Sequence, residues 1–274
     1  MNPELAPRTD LAPLYSGKPH DCPICRASHI LYVGSKDFGE SCNDHFEGRR
    51  LFEQYDAPVP YYQCQACGFL FSIAFEDWTD TDFRDHVYNE HYVLTDPLFE
   101  SQRPKDNAAL IGTLFHREKA SARLLDFGGG KGLTAQHLRE AGFDVATYDK
   151  YHKTDECPLA RTYDIISSFE VIEHVPARDQ FAWMNQLASL LNDSPHARIV
   201  LSSELVRRPN GLSWWYVSPR NGHISIHSDD SLRVLAARYG LAVTSISSSV
   251  HLLHRQVTWV MRPAANAPSL RQVG

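Results

Sequence analysis

A glycine-rich turn after a buried apolar run is the first feature of this sequence that could do chemistry. Three consecutive glycines, Gly128, Gly129 and Gly130, follow Asp126 and Phe127. Because the turn carries no side chains, backbone N–H groups can approach a ligand closely, and the positive end of the following helix points to the same place. No Gly-Lys-Ser or Gly-Lys-Thr ending is present, which disfavours a phosphate-binding P-loop. Asp126 would repel a pyrophosphate and attract an ammonium group.

A second acidic residue, Asp149, ends the next predicted strand, about 20 residues after the glycines, and from there a carboxylate can hold the hydroxyls of a ribose. A cofactor with a ribose and an ammonium group but no phosphate matches both carboxylates. S-adenosylmethionine is such a cofactor. The residues predicted to bind it are Asp126, Phe127, Gly128, Gly130, Gly132, Asp149, Phe169 and Glu170.

These motifs resemble those of the class I S-adenosylmethionine-dependent methyltransferases. The Asp-x-Gly-x-Gly-x-Gly run that begins at Asp126 is similar to their motif I, and Tyr148-Asp149 is similar to their acidic second motif. Residues 163–175 resemble the strand and helix start that follow in that superfamily. Three matches in order are more specific than one glycine turn, and the alternative is such a turn in another doubly wound protein.

Two carboxylates and two imidazoles are predicted to gather beside the sulfonium, at the carboxyl end of the fourth strand. Glu170, Glu173 and His174 are spaced to converge at a helix start, and His223 can reach the same rim. The predicted catalytic residues are His174, His223 and Glu173. One hypothesis is general-base catalysis by a histidine, and another is that all four residues bind a divalent cation. The Glu-x-x-Glu-His pattern is similar to that of metal-assisted ubiquinone-pathway O-methyltransferases and small-RNA 2′-O-methyltransferases. In the third interpretation, the histidines only pack.

Two Cys-x-x-Cys pairs near the start of the chain have the spacing of zinc knuckles. Cys22 and Cys25 form the first pair, and Cys64 and Cys67 form the second. Four thiolates suit tetrahedral zinc, and the alternating segments 30–33 and 59–63 between the pairs could form the strands of a zinc ribbon. The alternatives are two unrelated thiol pairs or a redox motif. The remaining cysteines, Cys42 and Cys157, are interpreted as ordinary thiols.

Composition excludes several classes of protein. The chain has 274 residues, a net charge of −6 and a pI of about 6.1, so the broad basic surface of a nucleic-acid-binding protein is absent. No apolar run is long enough to span a bilayer, and the first residues lack the order of a signal peptide. A cytoplasmic protein with reduced cysteines and a small-molecule acceptor is therefore expected.

The chain divides into five predicted segments. These are a flexible tail (1–19), a zinc-ribbon-like module (20–75), a connecting helical lid (76–122), an S-adenosylmethionine-binding domain (123–262) and a second tail (263–274). Continuous apolar strands that alternate with helices predict an α/β, Rossmann-like sheet, closed by an antiparallel C-terminal strand. Between Asp149 and Tyr163 the sequence is too short for the usual third strand and its helix, so no adenine ligand is assigned.

Spacing predicts the individual elements of the larger domain. The predicted strands are 123–127, 144–148, 163–168, 197–203, 241–248 and 254–261. The predicted helices are 106–123, 131–141, 177–191 and 228–239, the last one capped by Ser228 and stopped by Gly240.

The acceptor is predicted from weaker signals. The excursion 204–227 is too long and too aromatic for a plain connector, and Trp214, Trp215 and Tyr216 could stack on a ring or could simply pack. Together with the cysteine module, the Trp-Tyr-x-x-Pro-Arg-Asn-Gly-His run from Trp215 to His223 resembles bacterial methyltransferases associated with sugar and polysaccharide biosynthesis. The resemblance implies a hydroxyl or carbon of a nucleotide-linked or polysaccharide sugar as acceptor.

Alternatives to this acceptor remain open. They are a phenolic or RNA-terminal hydroxyl, and a binding module whose methyltransferase fold is inactive. Three residues of the lid are candidates for contact with the acceptor or with the methionine carboxylate: Tyr88, Tyr92 and Arg103. The alternative is that they only pack between the two domains and hold them together.

Overall fold

The computed structural model describes residues 5–7, 10–152, 157–207 and 211–255. In chain order its strands are β1 (Ile30–Asp37), β2 (Pro58–Cys64), β3 (Leu70–Phe71), β4 (Arg123–Phe127), β5 (Asp144–Tyr148), β6 (Ile165–Phe169), β7 (Arg198–Ser202), β8 (Ser225–Ile226), β9 (Leu241–Ser245) and β10 (Val250–Arg255). Its helices are α1 (Cys42–Glu47), α2 (Asp80–His86), α3 (Tyr92–Thr95), α4 (Arg103–Leu114), α5 (Leu133–Glu140), α6 (Gln180–Leu190) and α7 (Asp229–Ala237).

The larger of the two sheets has the order β5-β4-β6-β7-β10-β9. β4, β5, β6 and β7 are parallel, and β10 runs antiparallel to both β7 and β9. Side chains alternate across the sheet: Leu124 packs with Ile111 of α4 and Leu138 of α5, whereas Leu125 packs on the other face with Met184 of α6. The Rossmann-like sheet with antiparallel closure, predicted from the apolar pattern, is confirmed.

The connection between β5 and β6 is abbreviated, as the sequence predicted. Among the described residues of this connection, the regular structure is a single 3₁₀ turn, Pro158–Ala160, and β5 is the edge of the sheet. Tyr163 at the end of the connection is fully buried, and its hydroxyl donates a hydrogen bond of 2.6 Å to the carbonyl of Pro158.

The smaller sheet has the order β1-β2-β3-β8. β1 and β2 are antiparallel with Ile30 opposite Cys64, which confirms the two strands predicted between the cysteine pairs. β8 belongs to the excursion between β7 and α7, and it pairs with β3 so that Leu70 lies opposite Ile226. The cysteine module and the catalytic chain therefore share one sheet.

Several predicted boundaries were displaced. α4 begins three residues earlier than predicted and ends at Leu114, because Pro104 occupies the first turn, where a missing N–H costs nothing. The last strand was predicted at 254–261, but the strand begins at Val250, since a tight hairpin places His251 opposite Ser245. Residues 256–261 lie outside the described part of the chain.

Part of the segment predicted as a flexible tail contacts the cysteine module. Ala6 forms a bridge with Phe52, the backbone N–H of Tyr15 donates to Ala74, and the Trp78 indole donates to the carbonyl of Pro13 at 3.0 Å. Within the described ranges, no helix combines the length and the apolar character needed to cross a membrane.

Candidate active site

The glycine turn between β4 and α5 adopts a conformation that side chains would prevent. Gly128, Gly130 and Gly132 have positive φ angles of 80°, 54° and 77°. A Cβ at Gly129 would overlap the carboxylate of Asp126, and a Cβ at Gly128 would lie 2.5 Å from Val171. The backbone of the turn is therefore held against both neighbouring strand ends, and α5 begins directly after it.

Asp126 is buried at the end of β4, and its carboxylate is only partly satisfied. Oδ1 accepts a hydrogen bond of 3.0 Å from Ser167, whereas Oδ2 has no partner among the described residues. Burial raises the pKa of Asp126 to about 6, and the nearby charge of Asp149 adds to the rise. An ammonium group at this carboxylate would supply the missing partner and restore the charged form.

Asp149 links the end of β5 to the glycine turn. Its Oδ2 accepts a hydrogen bond of 2.9 Å from the N–H of Gly130, and its Oδ1 accepts from the N–H groups of Tyr151 and His152. The rings of Phe127 and Tyr148 lie 4.9 Å apart beside it. The two acidic strand ends and the turn thus form one cradle, as the sequence predicted.

A cavity of about 1450 Å³ extends from this cradle towards the smaller sheet. The predicted cofactor residues Asp126, Phe127, Gly128, Gly130, Asp149, Phe169 and Glu170 line it, whereas Gly132 occupies the N-cap of α5. His174 and His223 line the far end, together with Tyr88, Tyr92 and Arg103 from the lid segment. The cavity exceeds the range typical of a pocket for one small ligand, so it has room for a cofactor and an acceptor.

Glu170 and Glu173 meet at the hydroxyl of Tyr216. This hydroxyl lies 2.6 Å from Glu173 Oε1 and 3.1 Å from Glu170 Oε2, and Ser202 donates to the other oxygen of Glu170. Because it carries one proton, the hydroxyl can donate to only one carboxylate at a time. Glu173 is fully buried behind the cavity wall, and burial, reinforced by the charge of Glu170, raises its pKa well above the ordinary value.

The backbone of Glu170 is strained. This residue has a φ of 52°, a left-handed backbone conformation that residues other than glycine rarely adopt. Its N–H donates to the carbonyl of Ser202 at 3.0 Å, which holds the conformation in place at the end of β6. Strain of this kind is concentrated at functional sites.

His174 and His223 lie against the two carboxylates, with ring centres 4.8 Å apart. His174 Nε2 is 3.9 Å from Glu173 Oε1, and His223 Nδ1 is 2.8 Å from the carbonyl of Tyr216. Since a carbonyl only accepts, Nδ1 of His223 carries the proton and Nε2 is the basic nitrogen. Burial lowers the pKa of both histidines, that of His223 to about 4, so both are neutral at neutral pH.

Donor atoms of Glu173, His174 and His223 all lie within 4.8 Å of one another. Glu173 Oε2 and His174 Nδ1 have no hydrogen-bond partner within the described part of the chain. This arrangement could bind a cation, or it could accept a proton. Glu170, the fourth residue predicted to bind a cation, is instead hydrogen-bonded to Ser202 and Tyr216.

Tyr216 and Cys42 are site residues whose roles the sequence did not reveal. Tyr216 was grouped with Trp214 and Trp215 as a possible stacking surface, but it is buried with its hydroxyl between the two carboxylates. Of these three aromatic residues, Trp215 and Tyr216 line the cavity. Cys42, interpreted as an ordinary thiol, places its Sγ 3.6 Å from Nδ1 of His223. No local pattern marks either role, since the partners are distant in sequence.

The four predicted zinc cysteines form one cluster beside the smaller sheet. Cys22 and Cys67 have sulfurs 3.6 Å apart, Cys25 and Cys64 have sulfurs 3.5 Å apart, and all four lie within 4.8 Å of one another. These distances are far longer than a disulfide, about 2.05 Å. They approach the separation of about 3.8 Å that four sulfurs at 2.3 Å from a common zinc would have. The hydrogen bond from the Cys67 thiol lowers the pKa of Cys22 to about 5.

The parallel sheet, the glycine turn and the acidic strand ends together define a cofactor-binding α/β enzyme of the Rossmann-like type. The model of one family, described as Methyltransferase domain, matches residues 99–246. This span is more than half of the chain, and the chain belongs to that family. The protein is accordingly an enzyme of the S-adenosylmethionine-dependent methyltransferase class.

Solved structures with a similar fold include magnesium protoporphyrin IX methyltransferase (ChlM) from Synechocystis PCC 6803, with bound SAH. The identity is 16%, the match covers 66% of this chain and 97% of that one, and the TM-score is 0.42. CalO1, a methyltransferase in calicheamicin biosynthesis, is also 16% identical, covering 64% and 63% of the two chains at a TM-score of 0.43.

Human N-acetylserotonin methyltransferase, in complex with SAM, is 14% identical to this chain. The match covers 61% of this chain and 59% of that one, with a TM-score of 0.39. No curated protein sequence matches this chain.

Proposed function

We propose that this enzyme transfers the methyl group of S-adenosylmethionine to a hydroxyl of a small acceptor, with a sugar as the preferred acceptor class. One observation carries the proposal: a single cavity joins the cradle of Asp126 and Asp149 to the buried cluster of Glu173, His174 and His223. The cradle offers groups for an ammonium and a ribose, and the cluster offers groups for a hydroxyl and its proton.

The residues of the cradle have distinct roles in this proposal. The free oxygen of Asp126 binds the ammonium group, and Asp149 binds the ribose from the end of β5. The glycine turn brings backbone N–H groups close to the cofactor. Phe169 and Glu170, at the end of β6, lie beside the sulfonium, which supplies an electrophilic methyl group when the cofactor is bound.

In this proposal the histidines remove the proton of the acceptor hydroxyl. Methyl transfer to a hydroxyl forms a C–O bond, breaks the S–C bond and releases the hydroxyl proton. Nε2 of His223 is unprotonated at neutral pH, because burial lowers the pKa of the ring to about 4 and Nδ1 donates to the carbonyl of Tyr216. The carboxyl of Glu173, with Oε1 3.9 Å from Nε2 of His174, lies where it can exchange a proton with the histidine pair.

A second candidate is metal-assisted transfer to a phenolic or RNA-terminal hydroxyl. The convergence of Glu173, His174 and His223 within 4.8 Å favours it, as does the hydrogen bond that orients His223 through its other nitrogen. A divalent cation held by these residues would lower the pKa of a bound hydroxyl. The donor set of one carboxylate and two imidazoles fits such an ion.

We further infer that Cys22, Cys25, Cys64 and Cys67 bind a structural zinc ion. Four free thiols at near-tetrahedral separations support this role. β3 begins three residues after Cys67 and pairs with β8, so the ion would stabilise the sheet that leads to His223.

Methyl transfer can be tested with S-adenosylmethionine and a panel of sugars, nucleotide sugars and phenols, followed by the product mass. We expect a shift of one methyl group and stoichiometric S-adenosylhomocysteine. Glu173→Gln should slow transfer by about 10²–10⁴-fold, and Glu140→Gln on the exposed end of α5 serves as the control. Activity that falls on chelation and returns with Mg²⁺ or Mn²⁺ would select the metal-assisted candidate. A protein that does not bind the cofactor would refute the proposal.

A further inference from the structure

Exposed apolar side chains converge on the mouth of the cavity. Phe46 of α1, Val93 of α3 and Leu98 are 65%, 48% and 52% exposed, and all three line the cavity. They come from the cysteine module and the lid, whereas Trp215, which lines the same wall, comes from the excursion. Exposed apolar groups gathered at a cavity mouth mark a surface that a ligand covers.

Phe46 and Trp215 form an aromatic corner. Their ring centres lie 5.2 Å apart with an angle of 62° between the planes. Two rings in this edge-to-face arrangement leave one open face for a third ring. The corner is held from both sides, because Phe46 belongs to a helix capped by Ser41 and Trp215 packs edge-on against Tyr216.

The corner lies one helical turn from the catalytic cluster. Cys42, the first residue of α1, contacts His223. Phe46 is four residues further on, so it lies on the same face of the helix, about 6 Å along the axis. A six-membered ring spans a comparable distance. A ring whose hydroxyl approaches His223 would therefore reach the corner with its opposite edge.

The charges of the cavity disfavour an anionic acceptor. Within the described residues, each arginine and lysine that lines the cavity is already paired: Arg103 with Asp96, Lys131 with Glu100 at 2.6 Å, and Lys150 with Asp80 at 2.6 Å. Asp126, Asp149 and Glu170 line the same cavity. A diphosphate would bring further negative charge towards these carboxylates, and it would have to displace a carboxylate partner from each of these three cations.

We propose that the acceptor is an uncharged ring that carries a hydroxyl, a glycoside or a phenol and not a nucleoside-diphosphate sugar, and that it stacks in the corner of Phe46 and Trp215. This inference rests on the proposed function and narrows its acceptor. It also assigns the cysteine module a direct part in acceptor binding, through α1.

Ligand-detected NMR on the full chain saturated with S-adenosylhomocysteine tests this inference. The probes are methyl β-glucopyranoside, catechol and UDP-glucose. Comparison of the first two distinguishes a glycoside from a phenol as the bound ring. We expect at least one uncharged ring to bind about tenfold or more tightly than UDP-glucose. Phe46→Ala and Trp215→Ala should each weaken it about tenfold, whereas Phe46→Tyr should retain it. Leu31→Ala, at an equally exposed position of the same module, should change nothing.

Three results would overturn the inference: tighter binding of UDP-glucose, no effect of Phe46→Ala and Trp215→Ala on binding, or no binding of either uncharged ring. In all three cases S-adenosylhomocysteine would still bind, and the proposed methyl transfer would stand. Loss of S-adenosylhomocysteine binding in the wild-type protein would instead refute the proposed function itself. Since Phe46 is largely exposed, its replacement is expected to leave the melting temperature nearly unchanged.

Discussion

The two ends of the cavity are built in opposite ways. At the proposed cofactor end, the cradle comes from one continuous stretch, Asp126 to Asp149, on two neighbouring parallel strands, and Phe169 and Glu170 join it from the end of β6. The acceptor end is assembled from the cysteine module, the lid and the excursion, and Cys42 and His223 meet there across 181 positions of the chain. The locally encoded half carries a long motif that spans its main residues, whereas the half assembled from distant segments carries only a short one, at Glu170 to His174.

The two ends also differ in what holds them. The glycine turn rests on the apolar core of the larger sheet. The acceptor end has a separate apolar cluster that contains Tyr61 and Tyr216, and buried polar contacts cross it: the Tyr61 hydroxyl donates to the carbonyl of His223, and the N–H of Ile224 donates to the carbonyl of Glu173. Arg220 is fully buried and donates to Val87 of the lid at 2.8 Å. Loss of these polar contacts should therefore affect the acceptor end and leave the cradle intact.

Removal of the proposed zinc ligands should produce the largest difference between the two ends of the cavity, because it should unfold one end and leave cofactor binding at the other. A structural zinc contributes on the order of 10 kcal/mol to the folding of a small module. We therefore expect the double variant Cys22→Ser, Cys64→Ser to lose its single zinc ion and the protection of β2, β3 and β8 in hydrogen exchange. Cofactor affinity should stay within about threefold, because the other face of the larger sheet has a separate apolar cluster around Leu124, Leu138 and Val145. Cys157→Ser, at an exposed thiol outside the cluster, is the control, and unchanged exchange would refute a structural metal.

Glu173→Gln should lower turnover by about 10²–10⁴-fold, since it removes the ionisable carboxyl beside both histidines. The dissociation constant of S-adenosylmethionine should change by less than about twofold, because Glu173 is buried outside the cradle. Single-turnover kinetics and calorimetry measure the two quantities. Turnover within threefold of the wild-type rate would exclude Glu173 from the reaction.

Tyr216→Phe should lower turnover by about 10–100-fold, since it removes a hydrogen bond to a carboxylate and leaves the ring. The KM of the acceptor should change little, because the aromatic packing remains. Tyr163→Phe removes a hydroxyl that is equally buried but lies far from the cavity, and it should leave turnover unchanged. Equal losses in both variants would show that the Tyr216 hydroxyl has only a structural role.

The affinity for S-adenosylmethionine should fall about tenfold between pH 7 and pH 5, because only the ionised form of Asp126 attracts the ammonium group. Burial raises the pKa of Asp126 from 3.8 to about 6. In the free protein the sign for stability is opposite: protonation favours the folded state. The contribution of Asp126 to stability is complete below pH 3.8 and is lost as the pH rises through about 6. Calorimetry across this range checks the affinity, and Asp126→Asn should abolish the dependence.

The sequence was informative where chemistry follows from local order. The glycine turn, both acidic strand ends, the cap of α7 at Ser228 and the shortened connection after Asp149 were all predicted and are present. Each depends on residues within a few positions of one another, which spacing can reveal.

Only part of the acceptor end could be predicted. The approach of His223 to Glu173 and His174 was predicted and is present, but the contacts that hold these residues depend on tertiary packing. β8 joins a sheet whose nearest strand in sequence, β3, lies about 150 residues earlier, a pairing that no periodicity records. The hydroxyl of Tyr216 reaches two carboxylates 46 and 43 positions away. An aromatic triplet in the sequence indicates stacking as readily as burial, so the burial of Tyr216 had no sequence signal.

Calorimetry of S-adenosylhomocysteine binding to Asp149→Asn and Glu173→Gln, side by side, tests the division of the cavity most directly. We predict that Asp149→Asn weakens binding by about 10–100-fold, since it removes a charged acceptor of hydrogen bonds from the cradle, while Glu173→Gln leaves binding unchanged. Equal affinities in the two variants, or a loss in Glu173→Gln alone, would contradict the assignment of cofactor and acceptor ends.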